Sequence, residues 1–343
     1  MSNRLALWAV RLTAIGLMAA GGIYAWTVTQ ERAELSGISD VIVAPDPNLN
    51  NMPWLKPNLD GAKVVVPDRP HGLDEVQAQR TGEGSTIHRT RTYRLRTNSL
   101  GLRGPEVEKK ITGTARIIAI GDSVTHGWGV SEDESYPVQL EAMLEARGKS
   151  VEVLNAGVPA NNVPVMRDWC RTVGPSLAPD LIVWTRRPPH YGPAPAEDFV
   201  RSMRACAQAT KAKMVVVLPP ISTFDLRGQQ SWKDEERALK KLLTAEGVPV
   251  VELTPHFQEA QEGRGVVLEI APGKVTVVDQ RSGAVLLEEA FNNQDIPRSV
   301  YQLFEADADV REALFFDQGH PDAEGFELFA RVVADAVAPL LPQ

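Results

Sequence analysis

The sequence predicts a doubly wound α/β domain, a parallel sheet covered by helices on both faces. Two observations predict it. From Arg116 onward, β-branched runs alternate with amphipathic stretches of helical period, the pattern of parallel strands joined by crossover helices. The first of those runs breaks at Gly121 and presents Ser123 just past its end, at the carboxyl edge where open α/β sheets bind their ligands. With 343 residues, 43% of them hydrophobic and 23% charged, the chain carries enough apolar sequence for a sizeable core.

Taken in order from the N-terminus, residues 1–33 predict a membrane segment. Leu12 to Val28 holds 17 residues without a charge, preceded by Arg4 and Arg11 and followed by Gln30, Glu31 and Arg32. A helix of that length spans about 25 Å, and extending it back to Leu5 while Arg11 snorkels reaches bilayer thickness. Trp8 and Trp26 then fall near opposite interfaces, and the basic flank sets the N-terminus in the cytoplasm with everything after residue 33 exported to the periplasmic side. A retained single-pass anchor is expected. The alternative is a cleaved signal peptide, for which Ile23-Tyr24-Ala25 is a poor site because its residues are large.

Residues 34–115 are rich in Pro, Asn and Asp and read as an irregular lead-in that packs on the main domain, with strand-like pieces near 62–66 and 91–96. The alternating charge of Arg89 to Arg96 reads as the solvated face of a strand. The main domain, 116–343, places strands near 116–120, 151–155, 180–184, 213–218 and 249–252, and helices near 134–147, 163–174, 196–211 and 231–246. The alternation breaks over 255–312, where 266–270, 274–279 and 284–288 read as a β-meander insertion turning at Pro272-Gly273 and Ser282-Gly283. Lying just before Asp317 and His320, it either roofs the site or decorates the domain at a distance. A final helix near 323–340 closes the domain.

Charge and composition exclude some partners. A net charge of -8 argues against nucleic acid, whose phosphates demand a basic surface. The six histidines, at 71, 88, 126, 190, 256 and 320, show no paired ligand spacing, so neither a metal nor a cofactor is expected. Cys170 and Cys206 each fall in a predicted helix. In a doubly wound sheet those helices neighbour each other on one face, which leaves one disulfide or two separate buried thiols open.

Serine is a weak nucleophile until a nearby base, itself oriented by an acid, takes its proton. Asp317-Gln-Gly-His320 supplies base and acid on one turn, close enough for the carboxylate to fix the imidazole tautomer that accepts the proton of Ser123. Pro321 and the following helix would hold that turn.

Gly121-Asp122-Ser123 after one strand, Asn155-Ala156-Gly157 after the next and Asp317-x-x-His320-Pro321 near the C-terminus resemble, in order and spacing, the SGNH (GDSL) hydrolase superfamily over about residues 116–340. Asn98-Ser-Leu-Gly-Leu-Arg-Gly104 also looks like the lead-in of its bacterial extracytoplasmic members. The resemblance implies a flavodoxin-like sheet with Ser123 as nucleophile, His320 as general base then acid, and Asp317 as its orienting partner. It further implies that the N–H groups of Ser123 and Gly157 donate to the oxyanion, where each preformed donor contributes about 3 to 4 kcal/mol.

One element of the family pattern is missing. After the third strand the family usually carries Gly-x-Asn-Asp, whose Asn is a third oxyanion donor, whereas here Asp180-Leu-Ile-Val-Trp-Thr-Arg-Arg-Pro-Pro-His190-Tyr-Gly contains no Asn. His190 either donates in its place or is an ordinary loop histidine, and Arg186 or Arg187 offers electrostatic stabilisation instead. Asp122 is expected to make structural hydrogen bonds. His126, within Thr125-His-Gly-Trp-Gly129, either contacts substrate or, more simply, is part of a glycine-shaped loop, and Asn161 and Asn162 either line the cleft or, by default, are turn residues.

The expected function is a membrane-anchored, exported serine esterase or deacylase acting on an ester-bearing small molecule or glycan of the cell envelope. An O-acyltransferase passing the acyl group to a glycan is the close variant. A non-catalytic carbohydrate-binding or assembly protein on the same scaffold is the alternative of a different class.

Overall fold

The computed structural model describes residues 42–46, 52–67, 90–186, 195–224, 226–291, 310–317 and 319–342, with positions 297, 299–300, 302–303 and 307 between them. In chain order its strands are β1 (Ile42–Asp46), β2 (Met52–Leu55), β3 (Ala62–Pro67), β4 (Thr90–Leu95), β5 (Ala115–Gly121), β6 (Val151–Gly157), β7 (Leu181–Thr185), β8 (Lys213–Leu218), β9 (Val250–Glu252), β10 (Val266–Ala271), β11 (Lys274–Asp279) and β12 (Val285–Ala290). Its helices are α1 (Ser123–His126), α2 (Tyr136–Glu145), α3 (Val163–Thr172), α4 (Gly174–Leu177), α5 (Ala196–Thr210), α6 (Leu226–Ala245), α7 (Thr254–Gln261) and α8 (Ala323–Val337).

The five strands of the α/β alternation pair in parallel in the order β6-β5-β7-β8-β9. Numbered along the chain this is 2-1-3-4-5, the flavodoxin-like order, whose topological switch point lies beside the first strand. Ser123 follows that strand. Because both faces are covered, the strands are apolar at successive positions. In β5, Ile118 and Ile120 enter one core with Trp169, Phe199 and Cys206, while Ile117 and Ala119 enter the other with Tyr136, Leu140, Phe326 and Phe329.

The lead-in joins the first of these cores. β3 and β4 form an antiparallel hairpin whose Val64, Val66, Tyr93 and Leu95 are buried, and Trp54 of β2 stacks on Trp169 of α3 at 5.0 Å. Only half of the expected solvated face is solvated: Thr92, Arg94 and Arg96 are exposed, whereas Tyr93 and Leu95 point inward. Period-2 alternation puts these two sets on opposite sides of the strand.

Cys170 of α3 and Cys206 of α5 form a disulfide with their Cα atoms 5.3 Å apart, joining the two neighbouring helices of one face. The expected helix near 163–174 is two, α3 and α4, because Pro175 restarts the chain in the first turn of α4. The β-meander begins at Val266 as expected, but the start of the stretch in which no regular alternation is expected is helical: 254–261 is α7, whose Phe257 is buried in the second core. β10, β11 and β12 form a separate antiparallel sheet with its own small core around Phe224, Val277 and Phe291. The expected membrane segment lies outside the described residues. Among the described residues no helix is long and apolar enough to cross a membrane.

Candidate active site

Ser123 opens α1, a helix of four residues, too short to persist without support. Asp122 caps it by accepting the Val124 N–H at 3.0 Å, which is the structural role expected of that carboxylate. Beneath it, Thr125 lies against the buried Tyr136 hydroxyl, which is bonded to Thr185 at 3.0 Å. The chain leaves α1 through Gly127 at φ 81°, a left-handed cap that favours glycine. Gly157, ending β6, approaches α1 so closely that a Cβ there would lie 2.1 Å from the His126 nitrogen. Only glycine fits that contact.

His320 reaches the same point from the other end of the chain. Asp317 Oδ1 accepts the N–H groups of Gly319 and His320, both at 2.7 Å, folding the turn around its own carboxylate. Its Oδ2 accepts the His320 Nδ1–H at 2.7 Å. An ionised carboxylate only accepts, so the ring proton sits on Nδ1 and Nε2 is left as an acceptor. That Nε2 lies 2.8 Å from Ser123 Oγ. Burial alone would raise the Asp317 carboxyl, but the charge of His320 and the hydrogen bonds it receives outweigh that and hold it below the usual carboxylate range.

Rings flank the imidazole. Phe316 stacks on His320 with centroids 5.7 Å apart, and Trp128 lies at 6.3 Å. The Arg91 guanidinium of β4 sits 5.1 Å from the Phe316 ring centre. Asp322 caps α8 through Gly325 N–H at 2.9 Å, fixing the chain just beyond His320.

The other expected site residues divide. Ser123 N–H, in the first turn of α1, has no intrahelical acceptor and is available to an oxyanion. The Gly157 N–H donates to Asn155 Oδ1 at 3.0 Å, so it serves an oxyanion only by sharing with that amide. His190 and Arg187 lie outside the described residues. Arg186 is turned to other work: its guanidinium pairs with Glu235 at 3.2 Å and lies over Phe199, while burial pulls its pKa down to about 10. Asn162 caps α3 through Val165 N–H, the turn role expected of it. Asn161 accepts the Asn162 N–H and keeps its Nδ2 buried without an acceptor among the described residues.

His126 is not in a loop but ends α1, fully buried. Its Nδ1 lies 3.3 Å from the Gly157 carbonyl oxygen and its Nε2 3.1 Å from the Tyr93 hydroxyl. A carbonyl only accepts, so Nδ1 carries the proton and Tyr93 donates to Nε2. Burial and the Arg103 charge hold its pKa well below the ordinary value, which keeps the ring neutral. Tyr93 and Arg103 are site-building residues that sequence reasoning passed over; the only signal for them was the Asn98–Gly104 lead-in motif and the inward half of β4.

Residues 119–265 match the model of the GDSL-like Lipase/Acylhydrolase family. The match includes Ser123 and Gly157 and ends before Asp317 and His320, which the fold brings to them. Among solved structures the chain is similar to a lipolytic protein of the G-D-S-L family from Veillonella parvula, at 16% identity over 64% of this chain and 97% of that one, with a TM-score of 0.42. It is also similar to the lipase/acylhydrolase from Enterococcus faecalis, at 15% identity over 66% and 97% with a TM-score of 0.42. A GDSL-like lipase from Bacteroides thetaiotaomicron aligns at 13% identity over 68% and 93% with a TM-score of 0.40. No curated protein sequence matches the chain significantly.

Proposed function

From the GDSL-like sequence of residues 119–265 and the arrangement it completes, we propose that this protein is a serine esterase or deacylase working through an acyl-Ser123 intermediate. The observation that carries the reading is the unbroken line Asp317 Oδ2, His320 Nδ1–H, His320 Nε2, Ser123 Oγ at 2.7 and 2.8 Å. Ser123 Oγ attacks the ester carbonyl as Nε2 takes its proton. The ionised Asp317 stabilises the imidazolium that results. The imidazolium then protonates the leaving alcohol, and a water deprotonated by the same Nε2 releases the acid. Ser123 N–H and, by sharing, Gly157 N–H donate to the oxyanion, with His190 proposed as the donor in place of the missing Asn.

The reading extends to where the protein works. The uncharged Leu12–Val28 stretch and its basic flank support a single-pass anchor with the N-terminus cytoplasmic and the α/β domain exported. The Cys170–Cys206 disulfide supports the same side, since such bonds persist in oxidising compartments. The substrate class is then an ester-bearing small molecule or glycan of the cell envelope. Passing the acyl group to a glycan hydroxyl begins from the same acyl-enzyme.

The test is release of acid from short-chain p-nitrophenyl esters and from an O-acetylated glycan, each with and without a glycan acceptor. Free acid from either ester class supports the hydrolase. Acylated acceptor at the expense of free acid identifies a transferase. Turnover unchanged by Ser123→Ala sinks both.

A further inference from the structure

Among the described residues three arginines are buried, and two of them, Arg116 and Arg186, pair with the carboxylates of Glu152 and Glu235. Arg103, in the lead-in, is 3% exposed, and its guanidinium bonds are to main-chain carbonyls. Nη1 donates to the oxygens of His126 at 2.6 Å and Gly127 at 2.8 Å, and Nη2 to that of Val130 at 2.8 Å. Among the described residues none of its bonds goes to a carboxylate.

Those carbonyls belong to the end of α1 and the turn after it. A four-residue helix leaves its C-terminal carbonyls without intrahelical partners, and they carry the negative end of the helix dipole. A planar guanidinium satisfies several of them at once in a fixed fork, which a single ammonium does not. The main chain of Arg103 is tied as well: its N–H donates to Asn155 O at 3.1 Å, two residues before Gly157. One residue therefore grips both turns that carry the proposed oxyanion donors.

Tyr93 completes the grip. Its ring centre lies 5.0 Å from the Arg103 guanidinium, and its hydroxyl donates to His126 Nε2, whose Nδ1–H is directed at Gly157 O. From α1 to β6, the lead-in thus holds the nucleophile turn through side chains whose hydrogen bonds, among the described residues, go to neither Ser123 nor His320.

We propose that Arg103, backed by Tyr93, is a positioning residue that sets the pitch of α1, so that Ser123 Oγ meets His320 and the Ser123 N–H faces the oxyanion beside Gly157. The proposal rests on the reading of Ser123 as nucleophile. It assigns the lead-in a part in catalysis, beyond covering one face of the sheet.

The experiment is the time course of inactivation of the full chain by a fluorophosphonate, for wild type, Arg103→Lys and Tyr93→Phe. A misplaced nucleophile reacts more slowly, so Arg103→Lys is expected to lose about 10- to 100-fold in the labelling rate constant with the half-saturating reagent concentration unchanged. A purely structural role gives the opposite split: the fraction of molecules labelled falls while the rate constant of the folded remainder stays at the wild-type value, and this overturns the proposal. Tyr93→Phe keeps the ring and loses only the hydroxyl, with an expected slowing of about 5-fold. Should Arg103→Lys fail to fold, Tyr93→Phe decides, and a wild-type rate constant there overturns the proposal. A wild-type chain that is never labelled sinks the nucleophile reading itself, and the positioning role with it.

Discussion

Asp317 accepts the Nδ1–H of His320 at 2.7 Å while two main-chain N–H groups of its own turn bond the same carboxylate. The aspartate thus fixes both the loop and the tautomer. Asp317→Asn preserves the size of the side chain but can present an N–H to Nδ1, which drives the ring proton to Nε2 and turns it toward Ser123. Ester hydrolysis should fall by about 10³- to 10⁴-fold, with little change in KM. Steady-state kinetics on a p-nitrophenyl ester checks this.

Gly157 approaches α1 with no room for a side chain, since a Cβ would lie 2.1 Å from the His126 nitrogen and 2.5 Å from the Thr125 carbonyl carbon. Both neighbours are backbone and cannot step aside cheaply. Gly157→Ala should cost about 3 kcal/mol of stability and lower activity more than the loss of folded protein explains, because α1 must shift. Urea unfolding alongside the labelling rate separates the two effects.

Glu312 is buried, and burial pushes its carboxyl up to about 7 even though Ser222, Thr223 and Gln261 donate to it. In the unfolded chain the same group ionises in the ordinary glutamate range. Between those two pKa values the folded chain therefore holds the proton that the unfolded chain has lost. Stability is full below the unfolded value and declines as the pH rises through about 7, by about 3 kcal/mol in all. Glu312→Gln should abolish that decline. Urea midpoints measured from about pH 5 to about pH 8 for both proteins check it.

The Cys170–Cys206 disulfide closes a loop of sequence separation 36. On the chain-entropy account, replacing both cysteines by alanine should lower unfolding free energy by about 3 to 4 kcal/mol. Denaturant unfolding of the oxidised and double-alanine proteins measures it, and intact mass before and after reduction counts the bridge.

The sheet was legible because its strands are β-branched runs apolar on both faces, and Ser123, Asp317 and His320 because their motifs are short and local. Other parts resisted for physical reasons. α1 is four residues long, below any periodic signal, and it is held by a cap from Asp122 and by bonds from Arg103 twenty residues upstream. Tyr93 and Arg103 act through contacts made by tertiary folding, and the charges at Arg94 and Arg96 masked the inward half of their strand. α7 went unread because its eight residues directly precede a stretch of strong β pattern. The bond between Asn155 and the Gly157 N–H could not be read from spacing, which shows that the two residues are near but not which way the amide turns.

The central claim is that Ser123 is a nucleophile activated by His320. Its most direct test is peptide mapping after exposure to a fluorophosphonate. The account predicts one adduct, on Ser123, absent in Ser123→Ala and formed at least about 10³-fold more slowly in His320→Ala. A wild-type protein that carries no adduct, or carries it on another residue, would contradict it.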